Sequence, residues 1–329
     1  MMKPVMLLIR LFAAFVLLAS CSKSPAKAIT PEKPQKADFK VVGYMFADGD
    51  LIARSASIDF GKITHLNIAF INPDASGTFP SISTLSDLVK KAHTNNVKVI
   101  AAFAGGSPPP YLKELLKPEK RFLLVNGLSQ LTKTYELDGI DVDLEGDFVN
   151  ENYEAFVVEL SAALKRDKKL MTAAVATWNS AAYTDKALKL FDFINIMSYD
   201  HTGPWRKDEP GPHATFEAAE ADFSHWNINR KLPPEKLMLG LPFYAYGFGA
   251  DIPESINYGD LIAAYPGSEN TDSWELPSKG TFYYNGAPTI KKKVAYAIQK
   301  DAGGVMIWQL LGDAKGTQSL LSTIHQAIQ

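Results

Sequence analysis

The chain has 329 residues, 46% of them hydrophobic and 21% charged, with a formal net charge of -2. That length holds one large α/β domain or two small ones, and the composition is that of an ordinary soluble globular protein. The balanced charge, with no Lys/Arg stripe interleaved with aromatics, argues against a nucleic-acid-binding surface.

Reading along the chain, Lys3 and Arg10 precede an apolar run, LFAAFVLLAS, that ends at Cys21. The run is too short to span a bilayer comfortably and suits the apolar part of an export signal over residues 1–20. Leu18-Ala19-Ser20-Cys21 resembles a bacterial lipobox, in which the Cys is lipidated and becomes the mature N-terminus. The competing reading is a plain secretory signal with an incidental Cys. Cys21 is the only Cys, so no internal disulfide can form. Residues 21–38, rich in Pro, Lys and Ala, read as a flexible tether between lipid and domain. The location this implies is the bacterial cell envelope, anchored by lipid at the outer membrane or cell surface. From Phe39 to the end the composition is globular, with no second linker.

Short apolar runs then alternate with longer amphipathic ones. Strands are expected at Val41–Phe46, His65–Ile71, Val97–Phe103, Gly139–Leu144, Leu170–Thr177, Phe193–Ser198, Leu237–Phe243 and Gly304–Gln309. Most are continuously apolar, as strands covered on both faces should be. Helices are expected at Ser83–Asn95, Arg121–Tyr135, Tyr153–Lys165, Thr184–Leu190, Phe216–Asn227, Thr289–Lys300 and Thr317–Ile328, with a weak one at Leu51–Ser55. Eight strands alternating with helices fit a single-domain α/β fold, a (β/α)8 TIM barrel. A doubly wound sheet would need a Gly-rich turn after the first strand, and Gly43-Tyr44-Met45-Phe46 offers none. A barrel carries its active site at the C-terminal ends of the strands. Tyr44, Phe70, Met197, Tyr199, Asp200, Tyr244 and Trp308 all fall at or near such ends.

Only the fourth strand supplies several carboxylates, in Leu137-Asp138-Gly139-Ile140-Asp141-Val142-Asp143-Leu144-Glu145. Side chains two apart share a face of a strand, so Asp141, Asp143 and Glu145 point one way and Ile140, Val142 and Leu144 the other. The apolar set should meet the helices; the acids should face the barrel interior, with Glu145 at the mouth. Crowded carboxylates in a partly dry site cannot all ionise, so one stays protonated near neutral pH, as a general acid requires. A metal site would recruit His or further oxygens, and only Asp200 and His201 stand at another strand end. A solvated acidic patch would not alternate so strictly with Ile, Val and Leu.

Asp138-Gly139-Ile140-Asp141-Val142-Asp143-Leu144-Glu145 resembles the DGxDxDxE signature of glycoside hydrolase family 18, the chitinase family. VVGYMF, THLNIAFIN, INIMSYD, LMLGLPFYAYGF and GGVMIWQL are similar to that family's first, second, sixth, seventh and eighth strands. The resemblance implies retaining hydrolysis of β-1,4-linked N-acetylglucosamine, with the substrate's own acetamido oxygen as nucleophile. It implies Glu145 as proton donor, Asp143 as the group that orients the acetamide, and Asp141 as its proton-sharing partner. Tyr199 would donate a hydrogen bond to the acetamido group. Trp308 would floor the sugar site, with Tyr44, Phe70, Met197, Asp200 and Tyr244 as further substrate-binding candidates. Trp178 and Trp205 would either stack on sugar or serve as surface packing. No cofactor and no metal are implied; the partner is an N-acetylglucosamine-containing glycan, bound by a monomer held to the membrane through its lipid.

The chain departs from the family pattern in three places. Phe103 stands where relatives carry a Ser that would bond the acids, so Asp141 needs another partner. Tyr244-Ala245-Tyr246-Gly247 replaces Tyr-Gly-Arg, removing a sugar-binding Arg. The connection from Gly247 to about Pro288 is short for the family's full α+β insertion, which predicts a shallower groove. Other activities compete: an endo-β-N-acetylglucosaminidase acting on glycoprotein glycans, or a sugar-binding protein on a dead barrel. MSYD and the retained Glu145 weigh against these. No G-x-S-x-G elbow exists, and His201, His213 and His225 are too widely spread for a standard zinc motif.

Overall fold

A computed structural model describes Met1 and residues 39–329. The proposed signal, Cys21 and the tether lie outside the described residues. Among the described residues twelve strands occur in chain order. They are β1 (Lys40–Phe46), β2 (His65–Ala69), β3 (Lys98–Ala104), β4 (Gly139–Asp143), β5 (Leu170–Val175), β6 (Phe193–Ile196), β7 (Leu237–Pro242), β8 (Tyr244–Phe248), β9 (Ser255–Asn257), β10 (Ser273–Leu276), β11 (Gly280–Tyr283) and β12 (Gly304–Trp308).

Strands β1–β7 and β12 close into an eight-stranded parallel barrel in the order β1-β12-β7-β6-β5-β4-β3-β2. These are the eight strands expected from the apolar runs, each ending within two residues of its predicted limit. Helices fall between them, as at Leu85–Thr94, Arg121–Thr134, Tyr153–Arg166 and Ala287–Gln299. Several start on a side-chain cap: Thr184 accepts from the Ala187 amide at 3.2 Å, and Thr215 from that of Ala218 at 3.0 Å. The helix expected at Phe216–Asn227 stops at Ser224 and continues as a π turn over His225–Asn229.

Two apolar layers follow from the strand alternation. Ile140, Val142 and Leu144 join the layer between barrel and helices, whereas Val42, Ile100, Phe193, Met238 and Met306 fill the barrel interior. Phe103 belongs to the outer layer, its ring 6.0 Å from that of Phe156. The register explains this: Phe103 pairs with Val142, while Ala102 and Ala104 pair with Asp141 and Asp143. Phe103 therefore does not stand beside the acids. The β3 positions that do are alanines.

The connection after β7 is more ordered than its shortness suggested. It folds into a four-stranded antiparallel sheet, β10-β11-β8-β9, with a helix at Tyr258–Ala264. A small α+β unit thus follows β7 even in this abbreviated connection. Among the described residues no helix is long and apolar enough to cross a membrane.

Candidate active site

Asp141 is fully buried at the base of a column of acids inside the barrel. It accepts from the Tyr44 hydroxyl at 2.6 Å, the Thr172 hydroxyl at 2.5 Å and Asn195 Nδ2 at 3.1 Å. Asn195 Nδ2 also reaches the Tyr44 oxygen at 3.0 Å. Three strands besides its own thus supply the partner that β3 does not. Burial drives the Asp141 carboxyl up to about 6 against the pull of these donors.

Asp143 stands two residues higher and is 3% exposed. Its Oδ1 is buried with no hydrogen-bond partner. Burial, then the charges of Glu145 and Asp141, hold its carboxyl well above the usual range. Glu145 follows at the rim, where burial and the Asp200 charge raise it to about 7. A group poised there is protonated in a useful fraction at neutral pH and can donate a proton.

The surrounding backbone is shaped to admit these acids. A Cβ on Gly106 would lie 3.3 Å from Glu145 Oε1. Gly105, at φ +86°, packs so closely under Phe70 that a Cβ there would meet its ring at 2.4 Å. Ala104 also has positive φ, 82°, and is clamped by Asn72, whose Oδ1 accepts from its amide at 2.8 Å and whose Nδ2 donates to its carbonyl at 3.2 Å. Tyr183 donates to the Leu144 carbonyl at 3.2 Å and so ties down the end of β4.

A cleft of about 970 Å³ opens above the acids. Of the candidates from the sequence, Asp143, Glu145, Phe70, Met197, Tyr199, Asp200 and Trp308 all line it. Trp308 is stacked on Phe70 with ring centroids 5.6 Å apart, and Tyr44 and Phe46 brace it from other sides at 5.5 and 5.4 Å. The Tyr199 hydroxyl has only a weak 3.7 Å contact, to Met306 Sδ, leaving it able to donate to a ligand.

Three candidates sit elsewhere. Asp141 and Tyr44 lie beneath the cleft, and Tyr44, 1% exposed, spends its hydroxyl on Asp141. It supports the acids and does not face a substrate. Tyr244 borders a neighbouring hollow beside Trp308 and donates to Asp200 Oδ1.

Other groups line the cleft too: Asn72 and Thr177, both at strand ends, and Arg206, carried on the loop after β6, which strand-end reasoning passed over. A guanidinium therefore reaches the cleft although the Arg after β7 is missing. Its place directly after Trp205 was the available clue. Trp178 and Trp205, 72% and 60% exposed, form part of the walls. Of the scattered histidines, His201 pairs with Asp222 at 3.0 Å and His213 lies 3.5 Å from Asp200 Oδ1. Among the described residues no group of three or more His, Cys, Asp or Glu could hold a metal.

This geometry can be set against known proteins. The family model described as glycosyl hydrolases family 18 matches residues 40–313. The solved structure of the family 18 chitinase ChiB, from the chitin utilization locus of Flavobacterium johnsoniae, superposes with a TM-score of 0.81 at 40% identity, covering 88% of this chain and 94% of that one. A chitinase structure from Bacteroides thetaiotaomicron gives a TM-score of 0.77 at 29% identity, covering 88% and 96%. Chitinase A1 of Niallia circulans is 25% identical over 89% of this chain, but the match spans only 59% of that protein's length.

Proposed function

Because the chain belongs to glycosyl hydrolases family 18, we propose that it hydrolyses β-1,4 bonds in N-acetylglucosamine polymers or oligosaccharides with retention of configuration. In this reading the substrate's own 2-acetamido oxygen is the nucleophile. The observation that carries it is the pairing of a proton donor, Glu145 at about 7, with an Asp143 whose buried Oδ1 has no protein partner. Two-carboxylate retaining enzymes place a nucleophile across the sugar from the acid. Asp143 rises from the same strand as Glu145 and is suited instead to receive an N–H.

The sugar to be cleaved rests on Trp308, with its acetamido group directed down toward Asp143 and Tyr199. Glu145 gives its proton to the glycosidic oxygen as the acetamido oxygen attacks C1, and the C1–O bond to the leaving sugar breaks. The resulting oxazolinium carries positive charge on nitrogen, which Asp143 stabilises as it accepts the N–H. Tyr199 bonds the acetamido oxygen and holds it below C1. Glu145, now ionised, then takes a proton from water as that water attacks C1 and the oxazoline opens. Two attacks from opposite faces return the original configuration. Asp141, held by Tyr44, Thr172 and Asn195, keeps a second acid beneath Asp143 with which its proton can be exchanged.

Product analysis on chitin oligosaccharides, peptidoglycan and N-glycans in parallel tests the substrate. Cleavage of the chitin oligosaccharides alone is expected. Tight binding of all three without cleavage would instead make the chain a sugar-binding barrel. We also propose, from the lipobox-like Leu18–Cys21, that lipid on Cys21 holds the domain at the cell envelope. Cys21→Ala should then release it to the soluble fraction, and undiminished membrane retention would contradict the anchor.

A further inference from the structure

One assembly beside the cleft, buried at His213 and open at Asp200, has no part in the steps above. Asp200 leaves the end of β6 at φ 62°, a strained value for a non-glycine residue. Its carboxylate receives the Tyr244 hydroxyl. The Asp200 backbone N–H donates to His213 Nδ1 at 3.4 Å, and the same Nδ1 lies 3.5 Å from Asp200 Oδ1. The His213 ring is fully buried between Tyr244 and Tyr246, with both ring centroids 4.9 Å away.

The next residue is gripped from behind. The Ala214 carbonyl accepts from Lys293 Nζ at 2.9 Å and from Asn285 Nδ2 at 2.7 Å, and Lys293 also donates to Asn285 Oδ1 at 2.8 Å. Lys293 is itself fully buried on the helix Ala287–Gln299. Placing an ammonium on neutral oxygens inside a protein is costly, and a Met or Leu would fill the space without that penalty. The cost is intelligible if the group fixes the loop that carries His213. The same loop is closed by the His201 amide, which donates to the His213 carbonyl at 3.0 Å.

We propose that His213, clamped through Ala214 by Lys293 and Asn285, is the positioning residue that holds the Asp200 carboxylate facing Glu145 and thereby tunes the proton donor. This rests on Glu145 being the acid, as argued above. The charge of Asp200 disfavours ionisation of Glu145 and prolongs its protonated life as pH rises. Burial lowers the His213 imidazole from its usual range, which disfavours an imidazolium against the Asp200 carboxylate, and brings the Lys293 ammonium down to about 7. The groups facing His213 are Asp200, Tyr244, Tyr246 and, through space, Lys293. Those facing Glu145 are Asp143 from its own strand, Asp200 and Tyr199 from the end of β6, and Tyr183 from the segment after β5. Of the cations, Lys113 borders the hollow on the far side of Glu145, and Arg206 lines the main cleft with His201.

Three variants of the full chain test the proposal. His213→Phe keeps a ring and loses the acceptor nitrogen; His213→Asn keeps a side-chain acceptor for the Asp200 amide; Lys293→Met keeps the length and loses the ammonium. The readouts are kcat/KM against pH on chitotetraose and, without substrate, the Glu145 carboxyl titration followed by ¹³C NMR. In His213→Phe and Lys293→Met both midpoints should move down by about half a pH unit, a threefold change in the proton equilibrium, with KM little altered. His213→Asn should stay near the parent. Unmoved midpoints in folded Lys293→Met, whatever becomes of His213→Phe, would overturn the proposal, as would a displaced midpoint in His213→Asn equal to that of His213→Phe. If the parent cleaves no chitotetraose, the functional reading fails, and the NMR titration still decides whether this assembly tunes Glu145.

Discussion

Tyr44 and Asp141, 97 residues apart in the chain, meet through a 2.6 Å hydrogen bond inside the barrel. The bond joins the first strand to the fourth and fixes the lowest acid of the column. Because the Thr172 hydroxyl and Asn195 amide bind the same carboxylate, removing one donor should weaken the site without collapsing it. Tyr44→Phe should lower kcat by about tenfold, the equivalent of a buried charge-assisted hydrogen bond of ~1.4 kcal/mol, and leave KM nearly unchanged. Steady-state kinetics on chitotetraose checks this. A rise in KM with unchanged kcat would return Tyr44 to the role of substrate contact.

The buried acids also set how the fold responds to pH. Burial raises Asp141 to about 6, and burial with the Asp200 charge raises Glu145 to about 7, whereas both ionise near 4 in an unfolded chain. Between these limits the folded state holds more protons than the unfolded one, so stability falls as pH rises from about 4 to about 7. Asp143→Asn removes the central charge of the column. The variant should gain on the order of 1–3 kcal/mol over the parent at pH 8, less at pH 4, and lose activity. Calorimetric unfolding at the two pH values measures it. An equal gain at both would mean that the column does not ionise in this window.

Much of this site could be read before any coordinates. The strict alternation of Asp141, Val142, Asp143 and Leu144 announced which face each side chain takes, because a strand has a period of two. Apolar runs marked most of the barrel strands for a related reason: both faces are covered, so most positions are hydrophobic. The error over Phe103 was one of parity. Its likeness in place to a Ser of the family put it beside the acids, whereas its register with Val142 turns it outward to Phe156. The strands β8–β11 escaped notice because they are only three to five residues long: β8 runs on from the apolar stretch of β7, and β9–β11 are half exposed and mix polar residues with apolar ones. Thr172 and Asn195 lie inside runs that read as plain core, and nothing in one strand says which polar side chain on another will meet it.

Trp178 and Trp205 separate sugar binding from packing. At 72% and 60% exposure they contribute little to the core, so Ala at either position should leave the unfolding temperature unchanged. If they stack on sugar, KM for chitohexaose should rise about three- to tenfold, ~0.5–1.5 kcal/mol, while kcat holds. An unchanged KM in both variants would assign them to the surface alone.

Inhibition by a thiazoline analogue of chitobiose, measured on the parent and on Glu145→Gln, probes the heart of the proposal. That analogue copies the closed ring formed when an acetamido oxygen captures C1. The parent should bind it far more tightly than chitobiose, competitively with substrate, and Glu145→Gln should lose hydrolysis by about 10²–10⁴-fold. A parent enzyme indifferent to the thiazoline, or a Glu145→Gln variant that still hydrolyses chitotetraose at the parent's rate, would contradict the account.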